Sequence, residues 1–357
     1  MEKALIAMSG GVDSSVAAWL LKEQGFDLVG AMMKLYDSED TGGRGCCSLS
    51  DAQDARDVAY RLGIPFYVFN FTDEFSRQVI ERFVRAYQNG CTPNPCIDCN
   101  RYMKFERFLK RAAEIGCARV ATGHYASIVS ENGRYLLKRG ADASKDQSYV
   151  LYAMTQDQLS RTLFPLGGLT KSEVREIALE QGFVNAKKRD SQDICFVPDG
   201  NYARFIQRHT GAAAQKGLFI DTQGNTLGEH KGVIHYTIGQ RKGLGISAPQ
   251  PLYVCALCPG ANTVTLGVQD ELYEKALTAR DINLIAVKRL DAPLRVRAKI
   301  RYAHPEQPAT VWQLADDTLR VEFDHPQRAI TAGQAVVLYD GDVVVGGGTV
   351  SGAGAVK

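Results

Sequence analysis

A chain of 357 residues is long enough to bury two or three hydrophobic cores. Its composition, 45% hydrophobic and 23% charged, is that of an ordinary globular protein. No apolar run approaches the roughly 20 residues that span a bilayer, and the N-terminus lacks a signal-peptide layout, so a cytoplasmic protein with no membrane partner is expected. A formal net charge of +2 is too small to argue for nucleic acid by itself; that argument has to come from where the charges sit. Nine cysteines, an odd number with no export signal, point away from a disulfide framework and towards a reducing compartment.

Residues 3–8 are a short apolar run that reads as a buried strand, and residues 16–21 have helical spacing. Between them stand Ser9, Gly10, Gly11, Val12, Asp13, Ser14 and Ser15. A strand, a glycine-rich turn and a helix start together make an anion site, because the first amides of a helix have no intrahelical acceptor and the dipole favours negative charge. The hydroxyls of Ser9, Ser14 and Ser15 add donors, and Asp13 could hold Mg²⁺ or a lysine ammonium. No Gly-Lys-Ser/Thr or G-x-G-x-x-G follows, which excludes a Walker A loop and a dinucleotide fingerprint. The alternative is a tight turn with nothing bound.

Further strands are expected at residues 27–34, 65–70 and 120–123, with a helix at 51–62 between them. Strands alternating with helices imply an α/β fold with a doubly wound parallel sheet, whose ligands sit beyond the carboxyl ends of the strands. Cys46 and Cys47 lie in a glycine-rich stretch and read as non-catalytic. In Cys91-Thr92-Pro93-Asn94-Pro95-Cys96-Ile97-Asp98-Cys99-Asn100 the prolines break one helix and Asn94-Pro95 starts another. Cys96 and Cys99 then share one face of its first turn, with Arg101 and Lys104 nearby, a setting that makes a thiol acidic. A structural zinc half-site is the competing reading, but Cys255 and Cys258 occupy opposite faces of a strand and cannot complete it.

Gly123 at a strand end permits close approach of a nucleotide, and His124 beside it is either a ligand contact or a hydrogen-bonded surface residue. Residues 145–149 read as a polar loop joined to a helix that runs through Leu163. Residues 171–182 read as an amphipathic helix capped by Thr170, with Glu173 completing a capping box. Cys195 follows Lys187, Lys188 and Arg189 closely, so it is either a second reactive thiol or, between Ile194 and Phe196, a core residue.

Near residue 210 the texture changes: residues 209–214 read as a linker, and short β-like runs follow. Residues 236–245, Tyr-Thr-Ile-Gly-Gln-Arg-Lys-Gly-Leu-Gly, form a basic glycine-rich loop suited to a phosphate backbone. From about Leu277 an all-β barrel is expected. There Arg295, Arg297, Lys299 and Arg301 alternate with apolar residues, which would set four cations on one strand face at roughly 7 Å intervals, close to phosphate spacing. Three domains are expected: a catalytic domain over 1–208, a small β-rich domain over 209–276 and a β-barrel that contacts nucleic acid over 277–357.

The opening Ser-Gly-Gly-Val-Asp-Ser-Ser resembles the PP-loop of the ATP pyrophosphatases, which split ATP into AMP and pyrophosphate to adenylate a substrate oxygen. With it, Thr-Pro-Asn-Pro-x-x-x-Cys-Asn, Ala-Thr-Gly-His-Tyr, Lys-Asp-Gln-Ser-Tyr, Asp-Ser-Gln-Asp-Ile-Cys-Phe and Thr-Ile-Gly-Gln-Arg-Lys-Gly-Leu-Gly occur in that order. Together they resemble the bacterial tRNA-specific 2-thiouridylases over essentially the whole chain. The resemblance implies ATP held by Ala7, Met8, Ser9, Gly10, Gly11, Val12, Asp13 and Ser14, with Met33 and Gly123 on the adenine and ribose side and Mg²⁺ accompanying the phosphates. It implies Cys99 as the nucleophile and Cys195 as the cysteine that carries sulfur as a persulfide. Asn94, Pro95 and Cys96 would surround the flipped target base; His124, Lys145, Asp146, Gln147, Arg301, Tyr302 and Gln334 would touch tRNA.

The implied partners are tRNA, through the anticodon loop of Lys, Glu and Gln acceptors, and a cysteine desulfurase or sulfur-relay protein. The implied reaction is adenylation of the wobble uridine O2 followed by sulfur transfer, giving 2-thiouridine, AMP and pyrophosphate. Some relatives carry an aspartate where this chain has Cys96. Either that acid is dispensable, or Asp98 replaces it, or Cys96, Cys99 and Cys195 form a three-thiolate site suited to an iron–sulfur cluster. The competing function is a PP-loop ligase that adenylates a small-molecule acceptor.

Overall fold

Ala4, Leu5 and Ile6 are apolar on both sides of the backbone, as a strand covered by helices on two faces has to be, and they form the fully buried middle of β1 (Lys3–Ala7). In the computed structural model, residues 1–36, 49–188 and 194–354 are described. The chain divides into two units, one of Met1–Ile80, Pro95–Gly200 and Asp342–Val344, the other of Glu81–Asn94, Asn201–Gly341 and Val345–Lys357.

In the first unit β1 is followed by α1 (Val12–Glu23), β2 (Asp27–Lys34), α2 (Leu49–Leu62), β3 (Phe66–Asn70), β4 (Arg119–Ala121), the hairpin β5 (Ala126–Glu131) and β6 (Arg134–Arg139), and β7 (Thr162–Leu163). The sheet order is β3-β2-β1-β4-β7, every pair parallel, with Leu5 opposite Val29 on one side and Val120 on the other. The chain leaves β1 in one direction for β2 and β3 and returns to its other side for β4. The crevice at the carboxyl end of β1 is therefore the topological switch point of a doubly wound sheet. Ile6, Val16, Met32, Val58, Val174 and Ala178 join β1, β2, α1, α2 and the helix Lys171–Glu180 in one core. Phe69 meets Phe108 of the helix Phe108–Glu114 at 6.4 Å.

Two local expectations need correction. α1 begins at Val12, not near Val16, because the Ser14 and Ser15 hydroxyls fold back onto the Gly11 carbonyl and make the hydroxyl cluster its first turn. The helix expected to run through Leu163 is two short helices, Ser148–Leu151 and Gln156–Ser160, followed by β7; the Thr155–Gln158 capping box starts the second helix afresh. The capping box at Thr170 and Glu173 is present.

In the second unit the helix Tyr202–Thr210 takes up the first residues of the expected linker, and Gly211 closes it at φ 67°. A four-stranded sheet, order β10-β11-β8-β9, follows, built from β8 (Gly217–Ile220), β9 (Thr226–His230), β10 (Tyr253–Cys258) and β11 (Thr263–Gly267). Then come β12 (Tyr273–Leu284), β13 (Leu294–Lys299), β14 (Gln307–Ala315), β15 (Thr318–Arg328), β16 (Ala335–Asp340) and β17 (Val343–Ala353). Their order β12-β15-β14-β13-β16-β17 closes through a β12–β17 pairing into a barrel around Leu277, Val296, Val311, Val321, Phe323 and Val336. Among the described residues no helix is long and apolar enough to cross a membrane.

Candidate active site

The turn after β1 is held by its own side chains. Gly10 has φ +74°, and a Cβ there would meet the Asp51 carbonyl oxygen at 2.3 Å, so α2 packs on the loop at a distance only glycine tolerates. Ser9 N–H donates to Ser14 Oγ at 3.2 Å, while Ser14 Oγ and Ser15 Oγ each donate to Gly11 O at 3.0 Å. Ser15 is the first amide to bond within α1, to Gly11 O at 3.3 Å, leaving the amides before it for an outside acceptor.

Asp13 in the first turn takes the second of the two roles open to it. Lys171 Nζ donates to its Oδ1 at 2.7 Å and Tyr125 Oη donates at 2.8 Å, with the side chains 11% (Lys171) and 32% (Asp13) exposed. Asn185 Nδ2 donates to Gly10 O at 3.0 Å and Ser15 Oγ at 2.9 Å. Lys188 Nζ donates to Gly10 O at 3.2 Å and lies 2.6 Å from carboxylates of both Asp51 and Asp54. Burial lowers the Lys188 pKa, but the two carboxylates outweigh it and hold the ammonium above its ordinary value. Lys188 is thus committed to the loop and does not serve as a free cation for Cys195.

The strands flanking β1 carry the cysteine segments at their carboxyl ends. Beyond β2, Tyr36 Oη donates to the Cys195 carbonyl at 3.0 Å, and Phe196 sets its ring edge on Phe75 at 5.7 Å. Cys195 itself is half-buried. Beyond β4 lie Thr122, Gly123 and His124. His124 is 6% exposed between Phe105 and Phe164, at 5.9 and 5.7 Å, which rules out the surface reading of it. Its Nε2 is 3.5 Å from Lys104 Nζ and its Nδ1 is 2.6 Å from Thr122 Oγ1. An ammonium only donates, so Nε2 accepts and Nδ1 carries the proton. Burial, and then the Lys104 charge, hold the His124 pKa well below its ordinary value.

Lys104 belongs to the cysteine helix, which begins at Pro95–Asp98, continues as a π-helix over Cys99–Arg107 and ends as Phe108–Glu114. Its start at Pro95, directly after Asn94, is the expected one. Cys96 is exposed and Cys99 half-buried, and the buried Asn100 donates Nδ2 to Val150 O at 3.1 Å. π-helical windings inside α-helices frequently mark functional sites. The order along the sheet edge is therefore the Cys195 segment at β2, the glycine-rich loop at β1 and the Cys99 helix at β4.

Other expected site residues serve the frame. A Cβ on Gly123 would meet Asp13 C and Ser14 N at 2.8 Å, so the missing side chain makes room for the backbone of α1. Met33 pairs with Phe69 near the end of β2 and is partly buried. Asp146 accepts from Gly140 N and from Ser148 N and Oγ, Gln147 Oε1 accepts from Tyr125 N at 3.0 Å, and Lys145 N donates to Asp142 O. Among the described residues no three His, Cys, Asp or Glu side chains are arranged to hold a metal. The three-thiolate site of Cys96, Cys99 and Cys195, one of the three alternatives for Cys96, is therefore not assembled among the described residues. Cys255 is half-buried and Cys258 exposed; burial, then Glu271, push the Cys255 thiol up. Cys46, Cys47 and residues 189–193 of the Cys195 motif lie outside the described residues.

In the second unit Gln334 Nε2 donates to the Thr92 carbonyl at 2.6 Å and Thr92 N donates to Ala332 O at 2.9 Å, so Gln334 pins the start of the proline segment. The expected row of four cations is cut to three, Arg295, Arg297 and Lys299, alternating with the buried Val296 and Ala298 on β13. β13 ends at Lys299, which leaves Arg301 in a bend outside the strand. Arg295 makes a two-pronged pair with Asp324 at 2.8 Å and Arg297 meets Glu306 at 2.7 Å, so the face is of mixed sign. Tyr302 is 44% exposed, with Lys299 Nζ 5.7 Å from its ring centre.

Three family models match in succession: a tRNA methyl transferase HUP domain over residues 2–199, a tRNA methyl transferase PRC-barrel domain over 203–268 and an aminomethyltransferase β-barrel domain over 274–350. A tRNA-specific 2-thiouridylase MnmA of Clostridioides difficile is 52% identical over 353 residues, covering 98% of both chains. The protein of that name from Lachnoclostridium phytofermentans is 52% identical over 98% of this chain and 99% of its own. The chain belongs to the tRNA-specific 2-thiouridylase family. A tRNA-specific 2-thiouridylase MnmA 1 of a Thermoanaerobacter species is 53% identical, covering 98% of this chain and 97% of that one. Among solved structures, a 4-thiouridine synthetase–RNA complex with bound ATP aligns over 55% of this chain and 45% of that one at 21% identity and a TM-score of 0.36, too loose a superposition to carry an argument.

For a 2-thiouridylase the motif reading passed over Lys171, Asn185 and Tyr125. Thr170-Lys171-Ser172-Glu173 reads as a helix start, which it is; nothing in that string says that the N1 lysine turns back to α1. Asn185 sits in a turn after that helix and carries no spacing signal. Tyr125, the last residue of the Ala-Thr-Gly-His-Tyr motif, is the one within reach of sequence reasoning.

Proposed function

We propose that this member of the 2-thiouridylase family uses ATP to adenylate O2 of the wobble uridine of tRNA and replaces that oxygen with sulfur, releasing AMP and pyrophosphate. The observation that carries the reading is the order along one sheet edge: the Cys195 segment, the phosphate loop and the Cys99 helix stand at the carboxyl ends of β2, β1 and β4. The free amides at the start of α1 and the Lys171 ammonium supply positive potential where pyrophosphate departs. No protein site for Mg²⁺ is assembled among the described residues and the Asp13 carboxylate is engaged by Lys171, so Mg²⁺ would enter with the ATP substrate.

Sulfur arrives on Cys195 as a persulfide from a cysteine desulfurase or relay protein. The Cys99 thiolate attacks the inner sulfur, forming a Cys99–Cys195 disulfide and freeing hydrosulfide. Hydrosulfide adds at C2, AMP leaves with the former O2, and an external thiol reduces the disulfide. The base has to leave its stack to be reached, which an anticodon loop permits at small cost. Asn94, Pro95 and Cys96 would surround it, and Arg301 and Tyr302 would contact the tRNA, whose acceptors would be Lys, Glu and Gln. The division at 1–208, 209–276 and 277–357 and a cytoplasmic setting belong to the same reading.

The test is AMP release and thionucleoside formation with and without tRNA. Both are expected only with tRNA present. Cys195→Ser is expected to abolish thiolation and leave tRNA-stimulated cleavage of ATP, read as pyrophosphate release, within a few-fold. AMP formed at full rate without tRNA, or thiolation surviving in Cys195→Ser, overturns the reading.

A further inference from the structure

The cations expected to form a nucleic-acid ladder on β13 are neutralised, Arg295 by Asp324 and Arg297 by Glu306. A different segment of the second unit keeps its charge. Residues 236–245 present Arg241 and Lys242, both exposed, and no hydrogen bond or ion pair engages either side chain among the described residues. We propose that this loop is a preformed phosphodiester-binding site for the RNA substrate, with Arg241 and Lys242 as its two cations; the choice of RNA rests on the function proposed above.

The loop is built to hold its shape without a ligand. Gly239 N donates to Val254 O at 2.8 Å and Val254 N donates to Gln240 O at 3.0 Å, which fastens it to β10. The Gln240 side chain closes it from within: Oε1 accepts from Thr237 N at 3.1 Å and Nε2 donates to Lys242 O at 3.0 Å. Arg328 Nη2 donates to Gly239 O, and a Cβ on Gly239, at φ +84°, would meet Ala329 Cβ at 2.9 Å. Leu244 is buried with Val254, Val264 and Leu266. Between these anchors Gly243, at φ +76°, turns the backbone beside the two cations.

The loop's neighbour says which part of the substrate it would serve. Thr237 Oγ1 is 3.5 Å from Thr92 Oγ1, and Thr92 opens the Thr-Pro-Asn-Pro segment that leads into the cysteine helix. A backbone phosphate held here would belong to a nucleotide bound beside the start of that segment. Rigid donors lose little entropy on binding, and two cations on a duplex or loop backbone release condensed counterions, so the contribution depends on salt.

The experiment compares wild type, Arg241→Ala/Lys242→Ala and Arg241→Lys/Lys242→Arg in the full chain, measuring Kd for unmodified tRNA between about 50 and 200 mM salt. The alanine pair is expected to weaken tRNA binding about tenfold or more and to reduce the log–log salt slope by about 1 to 2. The KM for ATP and kcat at saturating tRNA should stay unchanged, and the charge-conserving pair should restore affinity and slope. Unchanged affinity and slope in the alanine pair overturn the loop site. So does equal weakening in the charge-conserving pair, since that would report a damaged fold. Wild-type thiolation of the same tRNA is scored separately: its absence overturns the proposed function even where the loop binds RNA.

Discussion

Lys171 Nζ and Asp13 Oδ1, 158 positions apart in sequence, meet at 2.7 Å beneath the phosphate loop. The ammonium ties the start of the helix Lys171–Glu180 to the first turn of α1, and Tyr125 Oη bonds the same oxygen. The pair fixes the loop that the proposed function assigns to ATP.

Lys171→Met should therefore strike twice. It leaves Asp13 without its cation in a largely covered site, a loss of about 1 to 3 kcal/mol in stability, discounted from the fully buried case because Asp13 is a third exposed. It also removes charge from the leaving pyrophosphate, so AMP release should fall by roughly 100-fold or more. Tyr125→Phe keeps the ion pair and should cost AMP release less than about tenfold. Thermal melting and AMP release on both variants check this; equal losses in the two would mean that the tyrosine, not the charge, holds Asp13.

Asn185 offers a cleaner test of loop geometry because it carries no charge. Its amide donates to Gly10 O and Ser15 Oγ, and its Oδ1 is buried without a partner among the described residues. Asn185→Leu should cost about 1 to 3 kcal/mol, the penalty for leaving the buried loop acceptors short of donors. Asn185→Asp, which aims a carboxylate at the Gly10 carbonyl, should cost more despite its closer shape. Raised KM for ATP with unchanged tRNA affinity is the expected kinetic signature, measured by titrating ATP at saturating tRNA.

Much of this site could be read before any coordinates. The strand–turn–helix at residues 3–23 and the Asn94–Pro95 helix start follow from local chemistry, and local chemistry survives folding. The proline segment shows where such reading stops: Gln334 reaches Thr92 across 242 positions, and no local pattern announces that. The charge row on β13 misled for the same reason, since Asp324 and Glu306 reach it from other parts of the barrel. The surface reading of His124 fails because its neighbours Phe105 and Phe164, each some distance along the chain, cover it.

Gly123 tests the packing reading against the nucleotide reading. A Cβ there meets the α1 backbone at 2.8 Å, and backbone cannot swing aside as a side chain can. Gly123→Ala should shift the start of α1, costing about 1 to 3 kcal/mol in stability and weakening ATP binding in parallel. If instead melting is unchanged while ATP binding alone is lost, the glycine serves the nucleotide directly.

His124 gives the fold a pH dependence whose sign can be worked out. Its folded pKa is held well below the ordinary value by burial first and Lys104 second. Above about pH 6.5 the imidazole is neutral in both states and contributes nothing that varies. As pH falls below that value the unfolded chain takes up a proton that the folded chain refuses, so stability drops by up to about 1.4 kcal/mol per pH unit for each such histidine. His230, His235 and His304 are also shifted down, each by burial first, and add to the same slope. Urea unfolding at pH 7.5 and 5.5 should show the wild type less stable at the lower pH, and His124→Gln, which keeps a hydrogen-bonding group but cannot titrate, should show a smaller difference between the two. An equal difference in both proteins would mean that His124 is protonated in the fold, and that Lys104 points elsewhere.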